Sequence, residues 1–93
     1  MQRITEAHLL AMCKRLNIQT LSPLNYADER TPGVPFRAHV GHWHLDYAYG
    51  GVQLARVYNE AGAVTSYGGH GTKRACADRI GAMLDALSLQ VAA

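Results

Sequence analysis

The chain has 93 residues, a single domain's worth, of which 48% are hydrophobic and 17% charged. That balance excludes intrinsic disorder, and no apolar run reaches the roughly 18 residues of a membrane span. Nine Lys+Arg against seven Asp+Glu leave a net charge of +2, too small a surplus to identify a nucleic-acid or membrane partner on its own.

The opening segment Met1-Gln2-Arg3-Ile4-Thr5-Glu6 lacks the apolar stretch of a secretion signal, so a soluble, cytoplasmic protein with no membrane partner is expected. Leu9, Met12, Cys13 and Leu16 then recur at the three-and-four spacing of one helical face, which predicts a helix over about 5–17. Thr5 is its candidate N-cap, Glu6 suits the positive end of the dipole, and Asn17 is its candidate stop. The pattern breaks over 18–37, where Pro23, Pro32, Pro35, Asn25, Asp28 and Gly33 predict a long irregular loop. Leu21, Leu24, Tyr26 and Phe36 could pin parts of that loop to the core.

Residues 39–49 alternate: Trp43, Leu45, Tyr47 and Tyr49 share one side, and His42, His44, Asp46 and Ala48 the other. A strand is predicted, followed by a Gly50-Gly51 hairpin turn and a second strand over 52–58. That turn pairs Trp43 with Tyr58, Tyr47 with Leu54 and Tyr49 with Val52. It leaves Arg56 on the apolar face, which a bulge, a buried partner or a different register would each explain. Asn59-Glu60-Ala61-Gly62 forms a turn, 63–67 a short third strand, and Gly68-Gly69-His70-Gly71 a flexible link. Cys76, Ile80, Met83, Leu84 and Leu87 define a closing helix over about 72–89, capped by Thr72. The expected fold is α+β in the order α-β-β-β-α, a three-stranded antiparallel meander with both helices on the Trp43 face. Cys13 and Cys76 fall on helix faces that become core, so buried reduced thiols are expected, with a disulfide as the alternative.

Two local features bear on function. Lys73 and Arg74 open the last helix, where cations oppose the dipole. A bound phosphate would resolve the conflict through the backbone amides, the Thr72 hydroxyl, His70 and the two cations. The element order, with Gly71-Thr72-Lys73-Arg74-Ala75-Cys76-Ala77 opening the helix, resembles the double-stranded-RNA-binding domain. That resemblance implies phosphate contacts at the same helix start. The two-residue hairpin turn and two-residue basic cluster depart from that family's pattern. Tyr47-Ala48-Tyr49-Gly50-Gly51 and Asn59-Glu60-Ala61-Gly62 together resemble small uncharacterised bacteriophage and prophage proteins, a likeness that implies an origin and no activity.

The second feature is the face bearing His42, His44, Asp46, Gln53, Ala55 and Val57. This face is expected to be solvated or reserved for a partner, with Ala55 and Val57 as an apolar opening. The spacing of His39, His42 and His44 matches no zinc signature. No serine sits in a nucleophile elbow, and the seven acids are scattered, so no enzyme, cofactor or metal is expected. The functional expectation is a non-catalytic accessory domain with a protein partner, or a homodimer formed through the edge strand 63–67. Nucleic-acid binding through His70, Thr72, Lys73 and Arg74 is the alternative.

Overall fold

A computed structural model describes residues 3–92; Met1 and Gln2 of the opening segment, and Ala93, lie outside them. The predicted order is present: α1 (Glu6–Gln19), β1 (Trp43–Ala48), β2 (Gly51–Val57), β3 (Val64–Gly71) and α2 (Lys73–Ala92). The strands form one antiparallel sheet in the order β1-β2-β3, which leaves β1 and β3 as its edges.

α1 begins where its sequence predicts, with the Thr5 side chain accepting from the His8 amide at 3.1 Å. It runs past Asn17 to Gln19, because Asn17 is buried and committed elsewhere. The helix ends in two crossing bonds, Leu21 N–H to Ile18 O at 3.2 Å and Ser22 N–H to Asn17 O at 2.9 Å. This is a Schellman closure whose left-handed position is filled by Leu21, at φ 56°, where glycine is the usual residue.

Both helices lie on the Trp43 face of the sheet. Leu9, Cys13, Leu16, Trp43, Val52, Leu54, Cys76, Ala77, Ile80 and Leu84 form one buried cluster between them. Fully burying a side chain such as Leu54 or Ile80 stabilises the fold by roughly 1.5–3 kcal/mol. Both cysteines are free and buried; burial, then the neighbouring Cys76, pushes the Cys13 thiol up to about 11.

The hairpin differs from expectation by one residue on each strand. Trp43 faces Arg56, Leu45 faces Leu54, Tyr47 faces Val52 and Ala48 faces Gly51, so the two turn residues are Tyr49 and Gly50. Their φ angles of 55° and 73° are those of a type I′ turn, whose strand-matched twist decides the placement. Both strands shift together, so every side chain keeps its predicted face. Arg56 now lies over the Trp43 ring, 4.6 Å from its centroid, and donates to Gly41 O at 2.9 Å and Ser22 Oγ at 3.2 Å. A cation on the apolar face therefore has a π partner and two acceptors.

The segment expected as a link after the third strand is itself strand. β3 continues to Gly71 through a bulge, with Leu54 opposite Tyr67 but Val52 opposite Gly71. Gly68 and Gly69 make the bulge with φ of 91° and 73°. The Arg79 guanidinium occupies the space a side chain at Gly68 would need.

The second face of the sheet corrects a larger expectation. Ala55 is 0% and Val57 1% exposed, and His42 and Gln53 are also buried, so this face is no apolar opening. The irregular segment 20–42 crosses it. The Tyr26 ring meets His44 edge-on with centroids 5.7 Å apart, packs on Phe36 at 6.0 Å, and its hydroxyl reaches Gly62 O at 3.5 Å. An Ala27–Ala38 bridge closes the loop on itself, and His39 ties it further through Asn25 O at 2.9 Å and Asp28 Oδ1 at 3.0 Å. Gly41 N–H to Val57 O and Val57 N–H to His42 O extend β1's pairing into the loop. Among the described residues, no helix is long and apolar enough to cross a membrane.

Candidate functional site

The hydrogen-bond phase of the sheet shows which backbone groups have a partner. A two-residue turn makes Ala48 and Gly51 a bonded pair, so Asp46 and His44 also bond β2, while Trp43, Leu45 and Tyr47 direct their N–H and C=O away from it. The Val57-to-His42 bond keeps the same phase.

At Trp43 the outward groups are capped. Its N–H donates to Asn17 Oδ1 at 2.8 Å, and its C=O accepts from Asn17 Nδ2 at 3.0 Å and Cys13 Sγ at 3.3 Å. The Asn17 carboxamide thus substitutes for one residue of a neighbouring strand. The Trp43 indole N–H donates to Thr20 Oγ1 at 3.2 Å, fixing the chain just before Leu21 beside the start of β1.

Further along β1 the cap stops. His44 Nδ1 reaches the Leu45 carbonyl at 3.3 Å, and among the described residues no side chain caps the Leu45 N–H or either Tyr47 group. A groove of about 560 Å³ runs beside this stretch, between α1, the loop and β1, with Leu10, Lys14, Leu24, Leu45 and Tyr47 in its walls. Leu10, Leu24 and Tyr47 are exposed. Burial, then the Glu6 carboxylate, raises the Tyr47 phenol above its usual range. An extended chain laid here would meet a donor, an acceptor and apolar walls, the chemistry of strand addition.

The residues singled out from sequence at the last helix are brought together only in part: Thr72 and Lys73 share a depression, and His70 turns away from it. Thr72 accepts from the Ala75 amide at 3.1 Å as the N-cap of α2. Thr72 and Lys73 line a shallow depression of about 490 Å³, but Glu6 lines it too, placing a carboxylate where an anion would sit. His70 turns to the other side of the sheet, its Nε2 3.1 Å from Asp46 Oδ2. Lys73 and Arg74 are exposed.

On the second face the residues do converge, as a closed polar array. Asp46 Oδ2 accepts from Gln53 Nε2 at 3.0 Å as well as facing His70, and Gln53 also donates to Ser66 Oγ at 3.1 Å. The Gln53 bond, aided by His70, holds the Asp46 carboxyl below its usual range. His42 stacks on His44 at 6.0 Å and bonds Pro23 O at 2.8 Å. Burial shifts the His42 imidazole below its ordinary value. Among the described residues no three His, Cys, Asp or Glu side chains gather as a metal site would need.

Sequence reasoning passed over the β1 edge because its identity depends on strand order and hydrogen-bond phase. The available signal was Asn17, a polar residue on the apolar side of a predicted helix. Compared with protein-family models, curated proteins and solved structures, the chain matches none.

Proposed function

We propose that this protein is a non-catalytic interaction domain that takes an extended segment of a protein partner along the β1 edge. The observation that carries the reading is that, among the described residues, the Leu45 N–H and both Tyr47 backbone groups are uncapped beside the groove lined by Leu10, Leu24 and Lys14. Strand addition draws affinity from main-chain bonds and specificity from pockets for alternate side chains, and both elements adjoin here. A partner at the other edge, 63–67, has less in its favour: the Gly68–Gly69 bulge twists that strand, a device that discourages edge pairing.

A non-catalytic role is supported by the state of the candidate nucleophiles. Burial raises the Cys13 and Cys76 thiols, and Ser66 is bonded to Gln53 while His70 faces Asp46. The nucleic-acid alternative has Lys73 and Arg74 in its favour and Glu6, in the same depression as Lys73, against it.

The test is selection of short random peptides on the isotope-labelled protein, followed by amide-shift mapping, with an RNA duplex as a parallel probe. Peptides that shift Lys14, Leu45 and Tyr47 support the reading. Shifts confined to Gly69 through Ala75 on adding RNA at low salt, with no peptide acting at β1, would replace it with phosphate recognition.

A further inference from the structure

We infer that the open end of the Trp43 face of the sheet binds a small monocarboxylate with a flat apolar body, its carboxylate held by Arg56 and its body set against Tyr58 and Tyr67. This site is separate from the β1 edge and does not rest on the reading given above.

The residues concerned share one face of the sheet. Arg56 pairs with Thr65 and Leu54 with Tyr67, and Tyr58 follows Arg56 at the spacing that keeps a strand's side chains on one side. The helices cover this face at Leu54, which is 0% exposed, and leave it uncovered at Tyr58, which is 59% exposed. Where the cover stops, Val40, Gly41, Arg56, Tyr58, Thr65 and Tyr67 line a depression of about 360 Å³, a volume suited to a small ligand.

The charge of Arg56 is oriented but not neutralised. The side chain is half-buried beside an apolar core, and among the described residues no carboxylate pairs with it. An aliphatic residue facing Trp43 would add to that core, whereas a cation withdrawn from water costs free energy unless it is matched. The guanidinium is nevertheless held in place, over the Trp43 ring and by its Nε–H to Gly41 O and one Nη2–H to Ser22 Oγ. Both Nη1 hydrogens and the second Nη2 hydrogen have no protein acceptor among the described residues, and Nη1 is not buried. Together they form the end-on fork that a carboxylate takes with two parallel bonds. A guanidinium fixed beforehand also removes much of the ordering cost of binding.

The lining selects the ligand. Arg56 is the one Lys, Arg, Asp or Glu in the depression, and the neighbouring Gly41 and Tyr58 amides are committed to Val57 O and Ala63 O. One positive charge with neither of those amides to spare matches a carboxylate and not a phosphate dianion. Tyr58 and Tyr67 offer ring surface for a planar apolar body.

The test titrates the isotope-labelled protein with benzoate and, in parallel, with acetate, benzyl alcohol and inorganic phosphate, following the backbone amides and the Arg56 Nε–H. Benzoate is expected to shift Tyr58, Thr65, Tyr67 and the Arg56 Nε–H saturably. Acetate, which has no apolar body, and phosphate should bind more weakly, and benzyl alcohol, which has no charge, should not saturate. Arg56→Gln should weaken benzoate binding at least about tenfold. Tyr58→Ala, at an exposed position that the fold can spare, should weaken benzoate and leave acetate unchanged, so the inference stays testable if Arg56→Gln fails to fold. Phosphate binding as tightly as benzoate would overturn the ligand class. Benzyl alcohol binding as tightly as benzoate, or unaltered affinity in Arg56→Gln, would overturn the role of Arg56, and unaltered benzoate affinity in Tyr58→Ala would overturn the seat of the apolar body. Benzoate shifts confined to Lys14, Leu45 and Tyr47, or none at all, would overturn the site while leaving the β1 edge to its own peptide test.

Discussion

The two faces of one small sheet are covered by different means. On one, two helices supply Leu9, Leu16 and Ile80 against Trp43 and Leu54, a dry core. On the other, an irregular segment lays Tyr26 and His42 over His44, Ala55 and Val57, with a polar array from Asp46 to Ser66 alongside. Helical cover buries side chains in a repeating pattern, and its strength is apolar area. Loop cover buries a few, and its strength is divided among ring contacts and single hydrogen bonds, each worth about 1 kcal/mol net.

The largest effect that sharpens this contrast is Leu54→Ala, expected to cost about 3 kcal/mol in denaturant unfolding because the rigid helix pair leaves a cavity. On the loop face, Tyr26→Ala should cost about 1 kcal/mol, with faster amide exchange confined to the loop and to β1's start. Equal costs and a global change in exchange would mean that the faces fold as one unit of equal density. Between them lies Asn17→Ala, which strips the cap from both backbone groups of Trp43 and should cost about 2 kcal/mol. Asn17→Asp restores only the acceptor and should recover part of that loss.

The smallest effect is one of pH. Burial holds His42 below the usual imidazole value of 6.5, so the unfolded chain binds the proton more readily. The resulting stability is fully present above about 6.5 and is lost as pH falls from there towards the folded value. Melts between pH 7.5 and 5.5 should show this loss, and His42→Gln, which keeps a donor for Pro23, should flatten it. An unchanged slope in that variant would assign the acid sensitivity to another group.

The same contrast explains what could be read from the sequence. Both helices, the hairpin and the assignment of side chains to faces were legible, because periods of 3.6 and 2 survive local errors. The one-residue offset at the turn was not, since Gly50-Gly51 suits a two-residue turn by composition and nothing marks Tyr49 as left-handed. The cover over Ala55 and Val57 was illegible because 20–42 has no period. Its bonds run to partners as distant in sequence as Glu60 and Gly62. The Asp46–His70 pairing depends on the bulge: were the Leu54–Tyr67 register to continue unbroken, His70 would lie level with Gly51 instead of Gln53. A double glycine before a histidine fits a bulge as well as a flexible link, and composition does not separate the two.

On the reading proposed, β1 offers the Leu45 N–H and both Tyr47 backbone groups, uncapped among the described residues, to a partner's extended segment. Amide hydrogen exchange of these two residues, set against Trp43, tests it most directly. In the free protein the account predicts slow exchange at Trp43, held by Asn17, and fast exchange at Leu45 and Tyr47, with both slowing together once the selected peptide is added. Exchange at Leu45 and Tyr47 as slow as at Trp43 before any peptide is present, or unaltered after it is bound, would contradict the account.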